Sequence, residues 1–124
     1  MTSISTEQAP AAIGPYSQAI VVNTMIYCSG QIPINPVSGN IESEDIAAQT
    51  RQVLNNLRAV LTAAGSGLDK VVKTTIFLTD LNDFQIVNSI YAEAFGAHKP
   101  ARSTVQVARL PRAAKIEIEA IATL

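Results

Sequence analysis

The fold is decided by the closing stretch Pro100-Ala101-Arg102-Ser103-Thr104-Val105-Gln106-Val107-Ala108-Arg109-Leu110-Pro111, followed by Lys115-Ile116-Glu117-Ile118-Glu119-Ala120-Ile121-Ala122. Both segments alternate with a period of two, which is typical of strands because successive side chains point to opposite faces of a sheet. In the first segment the apolar face is predicted to hold Ser103, Val105 and Val107, opposite Arg102, Thr104 and Gln106. In the second, Ile116, Ile118 and Ala120 oppose Lys115, Glu117 and Glu119. The stretch therefore predicts two strands, each with one charged face.

The chain before this stretch predicts three more strands and two helices. Strands are expected over residues 16–22 and 25–29, after an irregular lead-in, and a third, rich in β-branched residues, over 71–78. One amphipathic helix should run from about 44 to 64 with Ser43 as its N-cap. A second should follow Asp80 or Asn82 and end at Gly96. The order β-β-α-β-α-β-β predicts an α+β fold, a sheet with two helices on one face.

The sheet face opposite the helices is predicted to be charged, with Arg102, Thr104, Gln106, Glu117 and Glu119 on it. In a monomer this face would simply be in water. In an oligomer it would meet another subunit, and charges buried there would need a reason. The pattern alone leaves both alternatives open.

Composition limits the classes of protein that fit. The 124 residues are 48% hydrophobic and 15% charged, which predicts one domain spanning residues 1–124. The net charge of −1, with scattered basic residues, argues on electrostatic grounds against a nucleic-acid partner. No apolar run reaches membrane-spanning length, no secretion signal is evident, and the single Cys28 fits a reducing compartment. We expect a cytoplasmic protein that does not bind membranes.

The side chains available for chemistry are few. His98 is the only histidine, and the sequence contains no phosphate-binding glycine motif and no Cys/His metal spacing, so no metal site is predicted. An arginine on a rigid strand can hold a planar carboxylate, and a nearby glutamate can orient or deprotonate a water. Backbone N–H groups at Gly30 and Thr104 can also donate to a bound oxygen. These parts permit, but do not compel, cofactor-free hydrolysis of a small molecule like an α-keto acid.

Four separated blocks carry a resemblance to a known family. They are Ala12-Ile13-Gly14-Pro15-Tyr16-Ser17-Gln18, Ser29-Gly30-Gln31-Ile32-Pro33, Gln49-Thr50-Arg51-Gln52-Val53-Leu54-Asn55-Asn56, and Pro100-Ala101-Arg102-Ser103 through Glu119-Ala120-Ile121-Ala122. In this order they resemble the Rid (YjgF) family, and most closely its RidA-type enamine/imine deaminases. The similarity covers nearly the whole chain from Ala9 onward.

The resemblance implies a chorismate-mutase-like fold and a homotrimer. The sheets would form the trimer core, with the helices outside and one site in each cleft between subunits. The strand of Arg102 would lie at a sheet edge and would not pair with the strand of Glu117. Local pattern alone predicts a simple hairpin instead.

The resemblance also implies roles for individual residues. Arg102 would anchor a substrate carboxylate and Glu117 would position the water, rather than Glu119 two residues further on. The cleft would be shaped by Tyr16, Gly30, Asn88, Thr104 and Pro111. Thr104 stands where many relatives have cysteine, a harmless departure if only its backbone N–H is used. The Gly96–Lys99 loop is short and lacks the phenylalanine that many relatives place before the Pro-Ala-Arg run, which bears on cleft shape and so on substrate preference.

The implied reaction is hydrolysis of 2-imino acids, or their enamine tautomers, to 2-oxo acids and ammonia, with no cofactor. Examples are 2-iminobutanoate and 2-aminoacrylate/2-iminopropanoate, which pyridoxal-phosphate dehydratases release. Two alternatives remain from the same family: an endoribonuclease or translation inhibitor, and a regulator that binds a small ligand without turnover.

Overall fold

The structure is a computed structural model that describes residues 1–124, with one six-stranded sheet and two α-helices. The strands are β1 (Thr2–Ile4), β2 (Ala19–Val22), β3 (Met25–Gln31), β4 (Val71–Leu78), β5 (Ala101–Gln106) and β6 (Ile116–Thr123). The helices are α1 (Ile46–Ala63), between β3 and β4, and α2 (Phe84–Phe95), between β4 and β5. The predicted α+β class, with both helices packed on the same face, is confirmed.

The sheet order is β1-β2-β3-β6-β4-β5, with only the β4–β5 pair parallel. The last strand, β6, therefore lies in the middle of the sheet, between β3 and β4. This places β5 at an edge and separates it from β6 by one strand. The edge position implied by the family resemblance is confirmed, and the hairpin predicted from local pattern is wrong.

Both helices begin and end near the predicted residues. The N-cap of α1 is Asp45, whose carboxylate accepts from the backbone N–H of Ala48 at 2.9 Å, so the expected cap at Ser43 is wrong by two residues. Asp80 caps a short 3₁₀ turn that precedes α2. α2 ends at Gly96, whose φ of 61° lies in the left-handed region that favours glycine.

The core lies between the helices and one face of the sheet. Fully buried side chains of α1, including Val53, Leu57 and Leu61, are part of one cluster with Ile76 of β4 and Ile118 of β6. Each such side chain stabilises the fold by about 1.5–3 kcal/mol relative to exposure. We call the opposite side of the sheet the open face. On β6 it carries Glu117 and Glu119, as the alternation predicted.

Three local features differ from the sequence predictions. The short strand β1 was not predicted, and β3 continues two residues past Ser29 to Gln31. Tyr16 precedes β2 instead of starting it. The buried amide of Gln18 explains this irregular lead-in, because it donates to the carbonyls of Thr6 and Pro10 and accepts from the N–H of Thr6.

The faces of β5 are the reverse of the prediction. Arg102 pairs in register with Thr74, whose hydroxyl bonds to that of Tyr91 on α2, so Arg102 and Thr104 lie on the helix side of the sheet. Ser103 pairs with Thr75 and lies on the open face instead. The placement of Arg102, Thr104 and Gln106 beside Glu117 and Glu119 is therefore wrong. Edge strand β5 is largely exposed on both sides, so alternation could not show which face is covered.

Candidate active site

Arg102 is held at the sheet edge by α2. Its Nη1 donates to the side-chain oxygen of Asn88 at 2.8 Å. Its guanidinium carbon lies 4.9 Å from the ring centre of Tyr91 and 5.4 Å from that of Phe84. Both distances are within the range of cation–π attraction. These contacts with α2 contradict the predicted position of Arg102 on the sheet face opposite the helices.

This cradle leaves the guanidinium able to bind an external anion. Asn88 is neutral and takes one hydrogen bond, and the two rings contact the group without accepting in-plane hydrogen bonds. A guanidinium offers five donors in a rigid fork, so several remain for a ligand. Arg102 is also exposed. A planar carboxylate is the small anion that best matches such a fork.

Tyr91 and Phe84 are site residues that the sequence analysis did not identify. Their spacing on α2 follows the apolar stripe, so nothing in the pattern distinguishes them from ordinary core residues. The hydroxyl of Tyr91 lies 2.7 Å from that of Thr74, which fixes the ring from the strand side. Burial raises the pKa of Tyr91, partly offset by the hydrogen bond to Thr74 and the positive charge of Arg102.

Glu117 lies on the open face of β6, across the sheet from the Arg102 cradle. It is half-buried and pairs in register with Phe77 of β4. Desolvation by burial, and then repulsion from Glu119, raises the pKa of Glu117 above the ordinary glutamate value. A raised pKa makes this carboxylate a stronger base, which suits proton transfer near neutral pH.

Gly30 is required by the position of Glu117. A Cβ built on Gly30 would lie 2.6 Å from the Glu117 carboxylate oxygen Oε2 and 2.8 Å from its carboxyl carbon. Gly30 sits where the β3–β6 register shifts between Cys28 and Gln31. The missing side chain therefore leaves space for the carboxylate against the backbone of β3.

Gly30 also lines a cavity of about 280 Å³ together with Tyr16 and Pro111. Two buried side chains of α1 hold its surroundings: Asn56 donates to the carbonyls of Ile32 and Ile34, and Gln49 accepts from the N–H of Lys115. The cavity is largely apolar. Its walls also include Pro10, Ala11, Ile13, Gln31, Ile32, Ile34 and Arg112.

The predicted site residues thus fall into two groups within one chain. Arg102, Asn88 and Thr104 belong to the helix side of the edge strand, where the buried hydroxyl of Thr104 has no hydrogen-bond partner. The second group comprises Glu117, Gly30, Tyr16 and Pro111. The two groups do not meet within one chain.

The structure shows neither a candidate metal site nor a helix that could span a membrane. No cluster of three histidine, cysteine, aspartate or glutamate side chains has the arrangement needed to hold a metal ion. Neither helix has the length and apolar character needed to cross a membrane.

Comparison with known proteins defines the family. Residues 6–124 match the family model described as Endoribonuclease L-PSP. The chain belongs to this family, which confirms the resemblance drawn from the four sequence blocks.

Individual relatives narrow the class further. The 2-iminobutanoate/2-iminopropanoate deaminase of Escherichia coli K12 is 54% identical over 97% of this chain and 95% of its own length. The human protein of the same name is 51% identical over 96% of this chain and 87% of its own. The crystal structure of E. coli TdcF with bound serine superposes with a TM-score of 0.96 at 46% identity, covering 100% of this chain and 99% of that chain.

Proposed function

We propose that this protein is a homotrimeric hydrolase that converts 2-imino acids, or their enamine tautomers, into 2-oxo acids and ammonia. The observation that carries the proposal is that the chain presents both groups the reaction needs: an Arg102 guanidinium with no carboxylate partner in the chain, and a Glu117 carboxylate of raised pKa. The deaminase names of relatives at 51–54% identity support the same reaction, with 2-iminobutanoate and 2-iminopropanoate as substrates.

The position of these two groups argues for a site shared between subunits. Arg102 and Glu117 point to opposite sides of the sheet, so one small substrate cannot contact both within a single chain. If the open faces of three subunits face inward, the edge strand of one subunit can lie against Glu117 of the next. The open face is suited to such contact, since Tyr27 and Val105 are 47% and 41% exposed on it.

In the proposed reaction Arg102 binds the substrate carboxylate and so orients the imine carbon. Glu117 of the neighbouring subunit removes a proton from a water molecule as the water oxygen bonds to that carbon. The protonated Glu117 then gives that proton to nitrogen, which forms the tetrahedral carbinolamine. Glu117 next takes the hydroxyl proton of the carbinolamine and passes it to the same nitrogen, so that the C–N bond breaks, the carbonyl forms and ammonia leaves. Positioning and a single carboxylate that relays both protons can suffice because the imine is already reactive.

The remaining residues would shape this cleft. Tyr16, Gly30 and Pro111 would form its wall beside Glu117, and Asn88 would hold Arg102. Thr104 follows Arg102 by two residues on the same side of β5, where its backbone N–H could serve the bound carboxylate. No step requires a metal or an organic cofactor. We place the protein in the cytoplasm, since its single Cys28 fits a reducing compartment.

The family's endoribonuclease description supports a second candidate function. A net charge of −1 gives little attraction for the phosphates of RNA. The aromatic rings of Phe84 and Tyr91 pack on Arg102, whereas rings that stack on bases would face the solvent. We therefore favour the deaminase.

The test follows decay of an imino acid generated in the cuvette by an amino acid oxidase, with and without the protein. We expect faster decay, and none of this acceleration with Glu117→Gln. Single-stranded RNA is incubated with the same preparations. RNA cleavage that depends on Glu117, without imine hydrolysis, would support the nuclease instead. Binding of 2-oxobutanoate with neither activity would indicate a regulator.

A further inference from the structure

A second cavity adjoins the Arg102 cradle on the helix side of the sheet. Its volume is about 430 Å³, and it lies between the second half of α2, the Gly96–Lys99 loop and the start of β5. Tyr91 and Phe95 form an apolar wall, and Arg102, Lys99 and His98 supply polar groups. The volume is in the range of cavities that hold small ligands. The cavity is thus continuous with the guanidinium that we assign to the substrate carboxylate.

The charge of this cavity is one-sided. No aspartate or glutamate lines it, although the chain has 10 acidic residues against nine lysines and arginines. Lys99 is exposed, and the one hydrogen bond of Arg102 within the chain goes to the neutral Asn88. Two positive charges therefore share a cavity with no internal counter-charge. An anionic ligand would supply the missing negative charge.

The loop that presents Lys99 is fixed in place. The ring nitrogen Nε2 of His98 lies 2.6 Å from the carbonyl oxygen of Val71. The backbone N–H of His98 donates to the carbonyl oxygen of Phe95 at 3.2 Å. Because a carbonyl only accepts, Nε2 carries the proton in this contact. Pro100 restricts the backbone on the other side of Lys99. The lysine is therefore attached to a short segment that is anchored at both ends.

We propose that this cavity is a second anion subsite, which takes the distal carboxylate of a 2-imino dicarboxylic acid while Arg102 holds the carboxylate beside the imine carbon. The inference rests on the proposed function and narrows its substrate class. Imines of this class are formed by oxidation of acidic amino acids at the α-carbon. Lys99 contributes a point charge, and the fork of Arg102 fixes the orientation.

The test compares two product-like probes by calorimetry, the monocarboxylate 2-oxobutanoate and the dicarboxylate 2-oxoglutarate. The native protein should bind 2-oxoglutarate about fivefold more tightly, the upper end for an ion pair that stays in contact with water. Lys99→Gln should abolish this preference. Arg58→Gln removes the same charge from the outer surface of α1 and should leave the preference intact. Raising the salt concentration should also weaken the preference of the native protein for 2-oxoglutarate, because salt screens the charge of Lys99.

The outcomes separate the subsite from the reaction. Equal affinity for the two probes, or a preference unaltered by Lys99→Gln, would overturn the subsite while leaving imine hydrolysis standing. Loss of the preference in Arg58→Gln as well would show a general effect of net charge and would also overturn it. Failure of both probes to bind, together with no imine hydrolysis, would overturn the proposed function and the subsite with it.

Discussion

Replacing Arg102 with lysine tests the site most directly. Lysine keeps the positive charge but loses the planar fork, so a two-point contact with a carboxylate becomes a point contact. Losing a charged hydrogen bond costs about 1.5–3 kcal/mol, or roughly ten- to a hundredfold in affinity and rate. We expect Arg102→Lys to be severely impaired and Arg102→Ala to be essentially inactive.

The stability of the fold should change much less. Within the chain Arg102 makes one hydrogen bond to a neutral amide and two cation–π contacts at an exposed position. Lysine can retain part of the cation–π attraction, so we expect a loss of about 1 kcal/mol. In a domain of this size that lowers Tm by about 5 °C or less.

The assay pairs calorimetric binding of 2-oxobutanoate with thermal melting and with the rate of imine decay. Arg58→Lys is a matched control, because Arg58 also donates to an asparagine side chain, that of Asn55 at 3.0 Å, on an exposed helix surface. The control should lose neither binding nor rate. If Arg102→Lys binds 2-oxobutanoate normally while its Tm collapses, Arg102 is a structural residue and the site is misplaced.

Four further predictions test the other group of residues. Glu117→Gln should keep 2-oxobutanoate binding but slow imine hydrolysis by at least about a hundredfold, and Glu119→Gln should do much less; equal losses would mean that the wrong glutamate is assigned. Because folding raises the pKa of Glu117, ionisation of this carboxyl group lowers the stability of the folded state. Glu117→Gln should therefore melt at a higher temperature than the native protein at pH 7, and the difference should vanish as pH falls below about 4. A lower Tm of the variant at pH 7 would contradict the raised pKa. Gly30→Ala should displace the Glu117 carboxylate and reduce the rate while 2-oxobutanoate binding at Arg102 persists; an unchanged rate would show that the carboxylate position is not critical. Sedimentation at micromolar concentration should give a trimer, and a stable monomer would refute the shared cleft.

The sequence predicted the elements well because their signals are local. The apolar stripe of α1, the β-branched run of β4 and the alternation of β6 each depend on neighbouring residues. The insertion of β6 between β3 and β4 depends on contacts distant in sequence, and only the family resemblance indicated that β5 and β6 are not paired. Strand β1 has three residues, too few for a periodic signal.

The sequence identified two residues of the candidate site but not how their side chains are arranged. Arg102 and Glu117 were identified by their motif, but the motif does not say which way a side chain points from an edge strand. Alternation assigned Arg102 to the polar side, whereas two aromatic rings of α2 draw its guanidinium toward the helix. An arginine can lie against apolar rings and keep its charged edge in water, so burial patterns do not place it.

The separation of Arg102 and Glu117 across the sheet has a chemical consequence. If both faced the same side of one chain at bonding distance, they would form an ion pair. That pair would occupy the fork of Arg102 and lower the pKa of Glu117, weakening both the carboxylate anchor and the base. On opposite faces, Arg102 bonds only to a neutral amide and the pKa of Glu117 stays raised. In the proposed trimer the bound substrate carboxylate neutralises Arg102 as the two groups meet across the cleft, so Glu117 keeps its basicity at the step that needs it.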